Sequence, residues 1–276
     1  MSVQTMIAHV RTDNDRPNQR AQGESVPVLT RKGTALHWES HGQGSPILLT
    51  HGFGATCRMW DEQIEEFTDR HRLIVWDLPG HGQSGTPAED GARTNVVEDM
   101  RALLNKTEAE RPVLAGLGLG GLLALRFWRA NPARVRALVL IGTVPGLRST
   151  GARALWNARV EAAAAALDRD GLHALEGGAE ADPRAHADAH GLAMAARRML
   201  TRHDPDALPW LAAIDVPVLI VAGGEDRPSL SAASHMARVI PNAALSIVPR
   251  ANHAANLHKP DAVNAAIRDF LGRLPP

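Results

Sequence analysis

The sequence predicts an α/β fold: a mostly parallel sheet covered by helices on both faces, with one helical insertion. Short apolar runs suited to buried strands alternate with segments whose apolar residues recur at helical spacing, the pattern of βαβ units. Between about residues 147 and 210 the alternation stops, in a stretch rich in Ala, Arg and His that reads helical and offers no strand. It resumes near residue 216 and continues to the end of the chain.

Taken in order, PVLTRKG and TALHWES are short extended segments, and PILLT (46–50) is a buried-strand run followed by the glycine-punctuated turn HGFGA. Met59, Trp60, Ile64 and Phe67 mark a helix over 58–68, and RLIVWD (72–77) is a strand ending in the turn LPGHGQSG. A helix over 93–106 leads to strand RPVLAG, a glycine turn, and a helix over 119–130 that stops before Asn131-Pro132. Strand VRALVLIG (135–142) precedes the insertion. After it come strand VPVLIVAGGED (216–226), a helix near 229–239, strand AALSIVP (243–249) and an amphipathic helix over 260–271. Residues 1–25 read as a polar tail with no apolar core of signal-peptide length.

Composition narrows the function. Thirty basic residues balance thirty acidic ones, so no global field favours nucleic acid or an anionic membrane, and a small molecule is the expected partner. No run of about 18 apolar residues occurs, as a membrane-spanning helix requires. The single cysteine, Cys57, excludes an internal disulfide framework and any Cys-rich zinc site, which fits a cytoplasmic protein.

The stretch VLAGLGLGGLLAL (113–125) has two readings. Gly116, Gly118 and Gly121 match the G-x-G-x-x-G of a dinucleotide-binding turn. That turn belongs after the first strand of a domain, with an acidic residue closing the next strand about 20 residues on. Here at least four strand candidates precede it, and the next strand ends Val139-Leu140-Ile141-Gly142-Thr143 without an acid. The cofactor reading fails both demands, and no cofactor is expected. Alternatively, Gly116-x-Gly118-x-Gly120 is a G-x-S-x-G nucleophile elbow that lacks its serine. An acyl-transfer site of that kind needs a backbone donor loop after an early strand, which His51-Gly52-Phe53-Gly54 supplies. It also needs an acid and then a histidine at the ends of later strands, and Asp226 and His253 stand in those places.

With these residues in order, the chain resembles the α/β-hydrolase fold family and is most similar to small bacterial esterases and enol-lactonases related to 3-oxoadipate enol-lactonase. The likeness runs from about residue 27 to 272 through HGFGAT, WDLPGHGQSG, the elbow, RALVLIGTVPG, GGED and NHAANLHKPDAVNAAIRDFL. It implies one hydrolase domain over 26–276 with a helical cap at about 145–212 and a pocket at the carboxyl ends of the strands. It further implies Asp226 as triad acid, His253 as base, and the N–H groups of Phe53 and Leu119 as oxyanion donors.

The nucleophile position falls on Gly118, where the chain departs from the family. A serine there is held in a strained, positive-φ conformation that glycine adopts at little cost, so the turn survives while the acyl-enzyme route does not. Three readings stay open: His253, oriented by Asp226, acts as general base on water or on the substrate; the pocket only binds; or the chain is an engineered Ser-to-Gly inactive variant of a serine enzyme.

Other residues carry weaker signals. Cys57 could line the entrance, but a partly buried cysteine that only packs is the plainer expectation; Ser45 and Ser84 read as turn residues. His186 and His190, four apart, would share a helix face as zinc ligands can, but a solvated or cap-packing helix is the plainer expectation, and no metal site is expected. His51 is expected to shape its loop through the backbone, His81 to be structural, and His258 to lie on the surface. Gly52, Trp128 on the elbow helix and Trp156 in the cap are the candidates for shaping an apolar substrate pocket.

Overall fold

The computed structural model describes residues 28–87, 95–178, 180–202 and 207–275. The tail over 1–25 and His203 lie outside the described residues.

Eight strands form one sheet: β1 (Val28–Arg31), β2 (Thr34–His41), β3 (Ser45–Thr50), β4 (His71–Trp76), β5 (Val113–Leu117), β6 (Ala137–Ile141), β7 (Val218–Gly223) and β8 (Ala243–Val248). Their order across the sheet is β1-β2-β4-β3-β5-β6-β7-β8. β1 and β2 pair antiparallel with each other and β2 antiparallel with β4; every other pairing is parallel. β5, β6 and β7 are buried along their whole length. That is why they read as continuous apolar runs rather than as alternating ones.

Alternate residues still feed opposite faces. Leu48, Ile74, Leu114, Leu138, Leu140 and Ile220 join one apolar layer with α2 (Val96–Lys106), α3 (Leu119–Ala130) and α6 (Arg227–Val239). Ile47, Leu49, Val75, Val113, Val139 and Val221 join the other, with α1 (Asp61–Phe67) and α8 (Pro260–Leu271). At roughly 25 cal/mol per Å² of apolar surface removed from water, these two layers dominate the stability of the sheet. The insertion between β6 and β7 carries α4 (Thr150–Asp170), α5 (Ala189–Ala195) and several short helical turns, with an apolar cluster of its own built on Val160, Ala164, Leu167 and Leu192. α7 (Ala255–His258) precedes α8. No helix among the described residues is long and apolar enough to cross a membrane.

Strand order reverses between β3 and β5, which are hydrogen-bonded neighbours although β4 separates them in sequence. A crevice opens outside the carboxyl ends of parallel strands at such a switch point. The loop after β3 and the glycine turn after β5 meet there, with Thr50 opposite Gly116.

Two elements differ from expectation. The helix foreseen over 58–68 is a tight turn at Cys57–Trp60 followed by α1, because the Thr56 side chain caps the Arg58 amide and closes that turn first. The segment that reads as helical over about 147–210 includes non-helical connections, among them the one that carries Glu180.

Candidate active site

The glycine turn is shaped by close backbone approach. A Cβ on Gly120 would fall 2.1 Å from the Thr50 carbonyl oxygen, and one on Gly121 would fall 1.9 Å from Thr143 Oγ1. Those glycines bring the start of α3 against the ends of β3 and β6. Gly118 has a different role: its φ of 52° and ψ of −104° make the sharp reversal between β5 and α3, and its amide donates to Ile141 O at 2.9 Å. The turn therefore follows the fifth strand and has the geometry of an elbow.

His253, in the loop after β8, faces this turn. A Cβ placed on Gly118 would lie 3.0 Å from His253 Nε2, so the imidazole edge stands directly over the position from which a side chain would project. Asp226, in the turn after β7, accepts from His253 Nδ1–H at 2.8 Å. That bond fixes the tautomer and leaves the Nε2 lone pair turned toward Gly118. Asp226 also caps α6 by accepting from the Ser229 amide at 3.3 Å. Burial works to raise the Asp226 pKa, but hydrogen bonds from Ser229 and His253 outweigh it and hold the carboxyl below its ordinary value. Ser229 was not foreseen; the signal was available, since Asp226-x-x-Ser229 at the start of an amphipathic segment is a capping pattern.

The loop after β3 carries Gly52 and Phe53. Among the described residues no group accepts from the Phe53 or the Leu119 amide, so both remain available as donors. The His51 ring does more than the backbone role expected of it. It is fully buried; Nε2 accepts from the Leu78 amide at 2.9 Å and Nδ1–H donates to Gly52 O at 2.6 Å, bracing the loop against the turn after β4. His186 of the cap braces the same loop from above, with Nε2–H donating to Gly54 O at 2.8 Å and Nδ1 accepting from the Gly82 amide at 3.0 Å. His81 lies between them, its ring 5.0 Å from that of His51 and 5.8 Å from that of His186. Burial lowers the pKa of all three, that of His51 to about 4.

Asp77 ties the turn after β4 to the segment entering α1, accepting from the amides of Cys57 at 2.7 Å and Gln83 at 2.8 Å while only 1% exposed. Asp77→Ala leaves two charge-assisted hydrogen bonds unmade and is expected to cost about 2–4 kcal/mol. A lowered urea midpoint with an unchanged m-value would show it.

The cap places one further group at the site. Glu180, 15% exposed at its side chain, sets Oε1 3.9 Å from His253 Nε2 and 3.1 Å from where a Gly52 Cβ would lie. Burial raises its pKa; His253 opposes this and Asp226 adds to it. Nothing local marks this residue: it sits in the aperiodic run EGGAEADPRAH, and its partners are distant in sequence.

Several candidates are not brought to the turn. Trp128 is buried near the far end of α3, ten residues or about 15 Å along the helix from Gly118, and stacks on Trp210 at 5.9 Å. The apolar interior took that side chain, so it is a core residue and does not shape the mouth of the site. Trp156 packs within the cap, its indole N–H donating to Leu200 O at 2.6 Å, in the same apolar cluster that Phe53 joins. Cys57 does not line an entrance: it is 1% exposed, and burial pushes its thiol above the usual range. His186 and His190 do not share a helix face, since His186 follows a short turn while His190 lies in α5 near Asp168. His37, Glu39 and Cys57 bring potential ligand atoms within 4.8 Å of one another. Glu39 is already paired with His41 and Arg58, and the Arg58 guanidinium also lies 3.7 Å from Cys57 Sγ, a cation where a metal would need to be. Ser84 holds the turn after β4, donating to Asp77 O, Ser45 opens β3, and His258 is exposed at the end of α7.

Comparison with known proteins agrees with the fold. Residues 47–266 match the model of the alpha/beta hydrolase family, and the chain belongs to that family. It is 28% identical over 255 residues to a Bacillus subtilis protein named as a 2-succinyl-6-hydroxy-2,4-cyclohexadiene-1-carboxylate synthase, covering 84% of this chain and 92% of the relative. It is 26% identical over 272 residues to 3-oxoadipate enol-lactonase 2 of Acinetobacter baylyi, covering 89% and 96%. Among solved structures, a thermophilic esterase from Thermogutta terrifontis superposes with a TM-score of 0.77 at 28% identity, covering 92% of this chain and 99% of that one.

Proposed function

We propose that the protein is an enzyme of esterase and lactonase descent that acts on a small, largely apolar ester, lactone, enol or ketone without a covalent intermediate. His253, oriented by Asp226, serves as general base, and the amides of Phe53 and Leu119 stabilise negative charge that develops on a substrate oxygen. Gly118 supplies no nucleophile, so the proton that His253 removes comes from water or from the substrate. The observation that carries this reading is the 3.0 Å between Nε2 and the Gly118 Cβ position, with Asp226 bonded behind the ring. The relatives support it: their names span an esterase, an enol-lactonase and a synthase, so the scaffold accommodates more than one reaction at such a site. Balanced charge favours a small-molecule substrate over nucleic acid or membrane, and the chemistry as drawn involves no cofactor and no metal.

The test is a panel of short-chain aryl esters, lactones and enolisable cyclic ketones assayed with the wild type and with His253→Ala. The substitution is expected to lower kcat/KM by roughly 100- to 10,000-fold on any substrate turned over. Equal rates for the two proteins would overturn the reading and leave the pocket a binding site.

A further inference from the structure

We propose that Glu180 is a second catalytic residue, a cap-borne acid that works opposite His253, and that the reaction is keto–enol proton transfer rather than ester hydrolysis. The inference rests on the general-base reading of His253. Its own support is geometric: Oε1 stands 3.9 Å from Nε2 and against Gly52, beside the loop that carries the Phe53 donor. The carboxyl reaches this place from the cap, between the short helical turns at Gly171–Leu175 and Pro183–Ala185, and the cap is seated firmly. A Cβ on Gly54 would touch Leu175 at 3.3 Å and Ala181 at 3.4 Å, and His186 is bonded to Gly54 O.

An ionised carboxylate beside an oxyanion site opposes acyl transfer, because like charges at such short range repel. A protonated carboxyl in the same place does the reverse, donating its proton to the oxygen as charge builds there. Burial favours that protonated form; the titratable groups facing Glu180 are His253, which favours ionisation, and Asp226, which disfavours it. The step then balances. His253 Nε2 takes the proton from the carbon next to a carbonyl, and the C–H pair becomes the C=C bond. The carbonyl π pair takes the proton from Glu180, giving enol, imidazolium and carboxylate. Return of the two protons, to the same carbon or a different one, restores both residues and completes an exchange or an isomerisation. The substrate class is a small, apolar enolisable carbonyl compound, and no oxidant or co-reactant is consumed.

The experiment follows α-proton exchange of small cyclic ketones and β-keto lactones in D2O by NMR, using the full chain as wild type, Glu180→Gln and His253→Ala. Exchange by the wild type is expected to be abolished by His253→Ala and reduced by about 100-fold or more by Glu180→Gln, with the alkaline limb of the pH–rate profile removed. A second measurement separates this role from a structural one. In a Gly118→Ser background, Glu180→Gln is expected to increase aryl-ester hydrolysis at alkaline pH, because it removes the charge beside the oxyanion donors; damage to the cap would lower both activities. Exchange that needs His253 but is indifferent to Glu180→Gln overturns this inference and leaves the base reading standing. Exchange indifferent to both overturns the two together, and ester hydrolysis with no exchange on any probe overturns the keto–enol assignment.

Discussion

Gly118→Ser is expected to add a burst-forming aryl-esterase activity, raising kcat/KM on short-chain aryl esters by roughly 100- to 10,000-fold. The expectation follows from the proposed base and donors: Nε2 faces the turn, Asp226 holds Nδ1, and the Leu119 amide follows the substituted residue. The gain falls short of a full triad for a geometric reason. A serine Cβ would lie only 3.0 Å from Nε2, so the ring must withdraw by a few tenths of an ångström before the hydroxyl can hydrogen-bond to it. That withdrawal pushes the imidazole toward Asp226, already at 2.8 Å. The substitution also has a stability cost, since φ of 52° is a strained setting for any side chain, at about 1–3 kcal/mol. Two readouts therefore move in opposite directions: burst amplitude appears and the denaturation midpoint falls. A stable variant with neither burst nor faster hydrolysis would show that the ring and the donor amides are not arranged for acyl transfer.

The parts of this architecture legible in the sequence are those whose signal is local. α3 and α8 match the expected 119–130 and 260–271, since Asn131-Pro132 stops one and Pro260 starts the other. β5, β6 and β7 were readable because burial on both faces makes a strand apolar along its length. Asp226 and His253 were readable because they occupy strand-end turns in the right chain order. What escaped is whatever depends on a partner far along the chain. Glu180 gains its meaning only when the cap folds back onto Gly52, and the His51 ring only when Leu78 and the Gly52 carbonyl bracket it. Trp128 was misplaced for a related reason: helical periodicity shows that a residue faces inward, not at which end of the helix the ligand would sit. Cys57 packs in the interior, the plainer of its two readings, and the Asp77 bond that anchors its amide across twenty residues is the part no local signal showed.

Acidification from pH 6.5 toward pH 4 is expected to destabilise the protein by more than about 3 kcal/mol, a large share of the 5–15 kcal/mol typical of a folded domain. His51, His81 and His186 lie within one cluster, and burial keeps each neutral to a lower pH than it would be in the unfolded chain. For His51 the folded pKa is about 4 against an ordinary 6.5, a separation worth on the order of 3 kcal/mol. Above pH 6.5 both states are neutral and the contribution is complete. Between 6.5 and 4 the unfolded chain takes up protons that the folded protein refuses, so stability falls with pH. The other two act in the same direction, and each charge would repel the next, as His51 and His186 do for His81. Protonation also breaks specific bonds, because His51 Nε2 and His186 Nδ1 both accept from backbone amides and neither can do so once charged. The loop carrying Phe53 and the cap above it are joined through those rings, so activity should be lost with, or ahead of, global structure as the pH drops. Urea midpoints measured across this range test the claim, with His81→Leu as the informative variant: it removes one titrating ring whose hydrogen bond among the described residues is the 3.2 Å one to Pro79 O, keeps an apolar group among the neighbouring rings, and should flatten the dependence. A midpoint that stays level between pH 6.5 and 4, or a slope identical in the variant, would mean that the three rings are not the source of acid sensitivity.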